Sequence, residues 1–145
     1  MRLINTAWIP FFIAWVFGLL HPSPPLWEYW PTELGKKAVL WYLVLAPLGE
    51  ELLFRGLLYD VTNYVFKGRF LTPTNPLPVA VWVTALGFSL WHAQNFATDP
   101  AALVWFQMVY TFFVGLWLGF IRWKSGKIWL CLGFHAGLNL LANVA

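Results

Sequence analysis

Long apolar runs broken by short polar turns are the feature that most constrains how this chain folds. A helix needs about 20 apolar residues to cross the hydrocarbon of a bilayer, and several runs in the sequence approach this length. Hydrophobic residues make up 60% of the 145 residues and charged residues only 10%, whereas a soluble domain carries about 25% charged residues. The pattern therefore predicts an all-α, polytopic transmembrane helical bundle.

Turns rich in proline, glycine or basic residues separate the apolar runs into five predicted spans. The first run is longer than a signal-peptide core and has no small-residue cleavage site after it, so we interpret it as a span. Cys131 is the only cysteine, which excludes a disulfide framework within the chain. The predicted spans cover residues 3–20, 37–58, 77–97, 101–123 and 128–145.

The basic residues favour one side of the predicted membrane. Because consecutive spans alternate in direction, six Lys and Arg residues fall on the side of the N-terminus and two on the other side. The positive-inside rule then predicts a cytoplasmic N-terminus. Basic residues in short turns between apolar runs anchor a chain to the membrane, so we expect no nucleic-acid binding. The six are Arg2, Lys67, Arg69, Arg122, Lys124 and Lys127, and the two are Lys36 and Lys37.

The second span carries three ionisable residues that a bilayer disfavours: Glu50, Glu51 and Arg55. A charge at mid-bilayer costs roughly 2.5 to 3.5 kcal/mol, so such residues indicate either a functional site or a buried structural network. Glu51 and Arg55 are four positions apart and share a helix face, which favours an ion pair. Glu50 lies roughly 140° around the helix from Arg55, so we expect Arg55 to serve Glu51 and Glu50 to act as a general base. Pro47 is expected to kink the helix and open a wet cavity.

Two later spans each add a histidine. Phe88 and His92 lie one helical turn apart in the third span, so they share a face. His135 and Asn139 have the same spacing in the fifth span. With 1.5 Å of rise per residue, Glu50, His135 and His92 lie roughly 15, 12 and 22 Å from the cytoplasmic ends of their helices. A single buried histidine is usually structural, but two at comparable depth predict a polar site near mid-membrane that leans outward.

These residues form three ordered motifs on three spans. Glu-Glu-x-x-x-Arg covers residues 50–55, Phe-x-x-x-His covers 88–92 and His-x-x-x-Asn covers 135–139. The set resembles the CPBP family, also called the Abi family, of CAAX proteases and bacteriocin-processing membrane proteins. The resemblance extends over residues 37–143 and makes a chance match unlikely.

The resemblance implies an intramembrane endopeptidase that works through a glutamate-activated water. On this sequence, Glu50 with His92 would activate the water, and His135 with Asn139 would stabilise the oxyanion. Glu51, Arg55 and Phe88 would support the site. The family architecture implies a four-helix catalytic core over residues 37–145, preceded by a first span and loop over 1–36, in a single membrane-embedded protease domain over 1–145.

Other functions fit parts of the same pattern. Glu50, His92 and His135 supply three ligands of the kind that catalytic zinc uses, although no His-Glu-x-x-His motif is present. We expect no cofactor and keep a zinc-dependent version of the protease as an alternative. A second alternative is a non-proteolytic scaffold or partner-stabilising protein of the same fold. A third is an ion carrier, which the lack of an evident inverted repeat disfavours.

The short chain and the outward lean of the site favour a prokaryotic role. We expect an integral protein of the cytoplasmic (inner) membrane. Its substrate is expected to be a membrane-associated protein or peptide, such as a C-terminal sorting tail or a leader peptide.

Overall fold

Helices account for almost all of the described part of the chain. The computed structural model describes residues 10–13, 15–16, 32–67, 69 and 77–144. The predicted first span, residues 3–20, lies outside them except for 10–13 and 15–16, which are helical. The helical segments that follow are α1 (Glu33–Leu40), π1 (Trp41–Leu45), α2 (Ala46–Glu51), π2 (Leu52–Leu58), α3 (Tyr59–Phe66), α4 (Val79–Trp91), a 3₁₀ helix (His92–Ala97), α5 (Ala101–Ser125) and α6 (Ile128–Val144).

The second predicted span is one long helical stretch that contains two π segments, π1 and π2. It begins at Thr32, whose Oγ1 accepts a hydrogen bond of 3.0 Å from the Gly35 N–H and so caps α1. It ends at Lys67, which adopts the left-handed conformation with φ of 50°. The stretch therefore runs past the predicted end at residue 58, and its regular α-helical pieces are short.

The third, fourth and fifth predicted spans correspond to helices in the structure. α4 follows Pro78, and the chain tightens from α to 3₁₀ geometry at His92. α5 follows Pro100 and ends at Gly126, which has φ of 67° and therefore the conformation that favours glycine. α6 begins two residues later at Ile128.

One helix of the described residues, Ala101–Ser125, is long and apolar enough to cross a membrane by length and composition alone. Ile128–Ala142 is apolar but shorter. The stretch over residues 33–66 is divided by its π segments, and α4 has only 13 residues before the 3₁₀ turn. Five spans therefore stay a prediction.

The chain divides into two compact units, and the assignment of one domain to residues 1–145 also stays a prediction. One unit is Glu50–Cys131, and the other combines Met1–Gly49 with Leu132–Ala145. The unit Glu50–Cys131 holds together mainly through α4 and α5, which approach closely at Gly115. A Cβ on Gly115 would lie 2.8 Å from the Ala85 Cα, and a Cβ on Gly119 would lie 3.0 Å from a Val81 methyl group. Small residues four apart thus let two helix backbones meet, as in membrane helix pairs.

Candidate active site

The first motif contains a buried ion pair. The Arg55 Nη1 donates to the Glu51 Oε1 over 2.9 Å, and the two side chains are 0% and 1% exposed. Removing two charges from water is costly, and their mutual attraction at this distance offsets part of that cost. The ion pair predicted from the four-residue spacing is present.

The Arg55 guanidinium also connects the first motif to the second. Its Cζ lies 4.3 Å from the centroid of the Phe88 ring, within the range of a cation–π interaction. The Phe88 ring meets the His92 ring edge to face, with centroids 5.0 Å apart. Glu51, Arg55, Phe88 and His92 therefore form a continuous series of contacts. We refer to these four residues as the motif cluster.

Backbone geometry orients the His92 ring. The His92 N–H, which an α-helix would direct to Phe88 O, instead bonds to the carbonyls of Ser89 and Leu90 as the 3₁₀ helix begins. Phe88 O lies 2.8 Å from His92 Nδ1. Because a carbonyl only accepts, Nδ1 carries the hydrogen in this contact, and Nε2 of the neutral ring is then the acceptor. This tautomer suits a residue that receives a proton.

Glu50 is half-buried and is the first residue of the unit Glu50–Cys131. Glu51 is the glutamate that accepts the 2.9 Å hydrogen bond from Arg55. The division of roles between Glu50 and Glu51 stays a prediction. The angle of roughly 140° between Glu50 and Arg55 applies to a helix with 3.6 residues per turn, whereas residues 52–58 form the wider π2. Wider turns reduce the angle around the helix axis between Glu50 and Arg55. The two glutamates therefore differ less in their orientation towards Arg55 than a regular α-helix predicts.

The third motif lies on α6. His135 is buried, with 4% of its side chain exposed. The Asn139 Nδ2 donates to the Tyr42 carbonyl over 2.9 Å, within the same compact unit. The convergence of His135 and Asn139 with Glu50 and His92, and the role of each, stay predictions.

The Tyr42 carbonyl is a hydrogen-bond acceptor because π1 and Pro47 remove both of its usual backbone donors. The Ala46 N–H, the α-helical donor, bonds to Trp41 O instead. The next N–H along the chain would belong to Pro47, which has none. The predicted disruption at Pro47 thus takes the form of an exposed carbonyl that Asn139 satisfies.

Arg122 is a contact residue of the motif cluster that its sequence pattern did not reveal. Its guanidinium donates to Arg55 O, Gly126 O and Asp60 Oδ1, each over 2.9 Å. In the sequence it is one of several basic residues in a turn, and nothing in its spacing distinguishes it from membrane anchors such as Lys124.

A cavity of about 630 Å³ adjoins the motif cluster on the side of π2 and α4. Phe54 and Trp91, which line it, are direct neighbours in sequence of Arg55 and His92. Its surface is almost entirely apolar. Among the described residues, no group of three or more His, Cys, Asp or Glu side chains is arranged to hold a metal ion. The lining residues are Leu53, Phe54, Leu57, Leu58, Val61, Gly87, Leu90 and Trp91.

Comparison with protein families decides the relationship that the three motifs suggested. Residues 36–141 match the family model described as type II CAAX prenyl endopeptidase Rce1-like. The chain belongs to this family. Comparisons with curated proteins and with solved structures gave no significant match. The Rce1-like family is a family of proteases, and its match together with the apolar helix Ala101–Ser125 identifies a membrane protein of the hydrolase class.

Proposed function

We propose that this Rce1-like protein is an intramembrane endopeptidase that hydrolyses a peptide bond of a membrane-associated protein or peptide. The attacking group is a water activated by a glutamate. The substrate is a C-terminal sorting tail or a leader peptide, and the site lies within the cytoplasmic membrane of a prokaryote. The N-terminus is cytoplasmic.

The observation that best supports this proposal is the motif cluster. An arginine held by one glutamate and stacked on a phenylalanine fixes the helix turn that carries the neighbouring Glu50. The same phenylalanine supplies the carbonyl that orients His92. A purely structural ion pair needs no oriented imidazole beside it, whereas a water that a general base activates must be held in position.

In the proposed mechanism, Glu50 removes a proton from the water as it attacks the scissile carbonyl, and His92 Nε2 orients that water. The developing oxyanion accepts hydrogen bonds from His135 and from the Asn139 amide. A fixed donor of this kind contributes about 2.7 to 4 kcal/mol to transition-state stabilisation. Glu50 then passes the proton to the leaving amine. The apolar cavity supports a substrate with an apolar segment next to the cleaved bond.

The replacement Glu50→Gln tests this proposal. It keeps the size and polarity of the side chain but removes the base, so we expect cleavage to be abolished and folding retained. The measurement compares membrane-bound and secreted peptides in cells that carry the wild type or the variant. The matched control is Asp60→Asn, because the Asp60 side chain is 62% exposed and pairs with Arg122, which is not a member of the motif cluster. Unchanged cleavage products in Glu50→Gln would instead support a scaffold.

Chelation separates the glutamate mechanism from its zinc-dependent alternative, in which Glu50, His92 and His135 would be the ligands. We expect cleavage by the purified protein to survive exhaustive chelation. Loss of cleavage that zinc alone restores would establish the zinc-dependent version.

A further inference from the structure

Arg122, near the C-terminal end of α5, uses all three guanidinium nitrogens within the unit Glu50–Cys131. Its Nε donates to the backbone carbonyl of Arg55, its Nη1 to that of Gly126, and its Nη2 to the carboxylate of Asp60. The Arg122 Cζ also lies 5.2 Å from the centroid of the Tyr59 ring. The side chain is 17% exposed, so it is well covered for a residue in a basic turn. Simple membrane anchoring requires none of these contacts.

The contact with Arg55 O follows from the geometry of π2. In an α-helix the Tyr59 N–H would bond to Arg55 O, but here it bonds to the carbonyls of Phe54 and Gly56. A buried carbonyl that loses its donor costs about 1 to 3 kcal/mol unless another donor replaces it. Arg122 Nε supplies a charged donor at 2.9 Å. The irregular turn and Arg122 therefore stabilise each other.

Arg122 thus holds the backbone of the residue whose side chain organises the motif cluster. The Arg55 guanidinium binds Glu51 and lies over the Phe88 ring, and a change in the backbone rotation at Arg55 would move the guanidinium relative to that ring. We propose that Arg122 is a positioning residue for the active site, acting through the Arg55 carbonyl to keep π2 in its wide-turn form. This inference rests on the proposed function for its effect on catalysis, but not for its effect on the backbone.

Two contacts of Arg122 can be removed separately. Arg122→Met removes the charge and every nitrogen donor of the side chain, whereas Arg122→Lys keeps a charge that can pair with Asp60 but has no donor at the position of Nε. Asp60→Asn removes only the ion pair and leaves the bond to Arg55 O. Lys124→Gln is the matched control, because Lys124 is an exposed base in the same turn whose Nζ lies 3.7 Å from the Trp123 ring centroid.

The experiment measures kcat and KM for cleavage, and separately the backbone hydrogen exchange of residues 52–60 in the full-length protein without substrate. We expect Arg122→Met and Arg122→Lys to lower kcat about ten- to hundredfold with little change in KM, because small misplacements of catalytic groups act on the chemical step. Both should also raise the exchange rate of residues 52–60. Asp60→Asn and Lys124→Gln should match the wild type in both measurements.

Two results would overturn the proposal. If Arg122→Lys had the kcat of the wild type and the same hydrogen exchange of residues 52–60, a charge at this position would be sufficient to hold π2. Equal losses in Asp60→Asn and Arg122→Met would show that the ion pair, and not the bond to the carbonyl, carries the effect. Cleavage that persists in Glu50→Gln would contradict only the proposed function, since the exchange of residues 52–60 is measured without any reaction.

Discussion

At the scale of single residues, three backbone carbonyls accept hydrogen bonds from side chains where helical geometry changes. The Tyr42 carbonyl accepts a hydrogen bond from Asn139, and the Arg55 carbonyl accepts one from Arg122. The Phe88 carbonyl accepts a hydrogen bond from the ring of His92, which belongs to the same motif. In each case the α-helical backbone donor bonds elsewhere. A carbonyl that loses its helical donor at an irregular turn can therefore accept a hydrogen bond from a side chain and fix its orientation. No second polar side chain is needed for this.

The buried ion pair predicts a difference between the two neighbouring glutamates. Glu51→Gln leaves the Arg55 charge buried without its partner, and breaking a buried pair in this way costs about 3 to 5 kcal/mol. We expect a clearly lower melting temperature for Glu51→Gln than for Glu50→Gln, measured by thermal unfolding of the purified protein in detergent.

The exposed ion pair between Arg122 and Asp60 provides the control for that comparison. Asp60 is 62% exposed, and exposed pairs contribute about 0 to 1 kcal/mol. Asp60→Asn should therefore melt close to the wild type. Indistinguishable melting of the Glu50 and Glu51 variants would contradict the division of roles between the two residues.

At the scale of helices, the contact between α4 and α5 depends on Gly115. A methyl group there would lie 2.8 Å from the Ala85 Cα and 3.1 Å from the Ala85 Cβ, so one backbone would have to move. We expect Gly115→Ala to destabilise the protein by about 1 to 3 kcal/mol, as overpacking usually does. Thermal unfolding in detergent measures the change.

Gly133 is the matched glycine on α6, because a Cβ there would have nothing within 4 Å. Gly133→Ala is expected to be neutral or to stabilise the helix by up to about 1 kcal/mol, since alanine favours helix more than glycine. If Gly115→Ala also had no cost, close backbone packing would not be what holds α4 to α5.

The sequence was sufficient to place most helices but not their irregular turns. The proline and glycine residues next to α4, α5 and α6 gave their boundaries to within a few residues, because these residues begin or end helices for steric reasons. The π segments left no such signal. In a run that is apolar on all sides, the periodicity of hydrophobic residues does not reveal whether a turn has widened.

The candidate site was predictable to a similar extent. The ion pair of Glu51 with Arg55 followed from their spacing, since both lie on one helix. The stacking of Arg55 on Phe88 and the bond from Arg122 to Arg55 O join residues 33 and 67 positions apart in sequence. Such contacts depend on how helices pack, which a single sequence does not specify.

At the scale of the whole molecule, the basic residues predict which side of the membrane each turn faces. Thr98 precedes the membrane-spanning candidate Ala101–Ser125 and Lys124 lies in its last turn, so the two residues should lie on opposite sides. We expect an impermeant thiol reagent to label Lys124→Cys only from the cytoplasmic side and Thr98→Cys only from the outer side. The natural Cys131 is fully buried and should give a low background. Labelling of both variants from one side would contradict the predicted orientation.

The position of Arg55 relative to Glu51 also has a consequence for biogenesis. Because both partners belong to one helical stretch, the pair can form as soon as this segment becomes helical, before the helices that follow it are synthesised. Two separate charges would each oppose transfer into the hydrocarbon, by roughly 2.5 to 3.5 kcal/mol at its centre. A segment that neutralises its own charges can enter the bilayer by itself, and the site is then assembled around it as the later helices arrive.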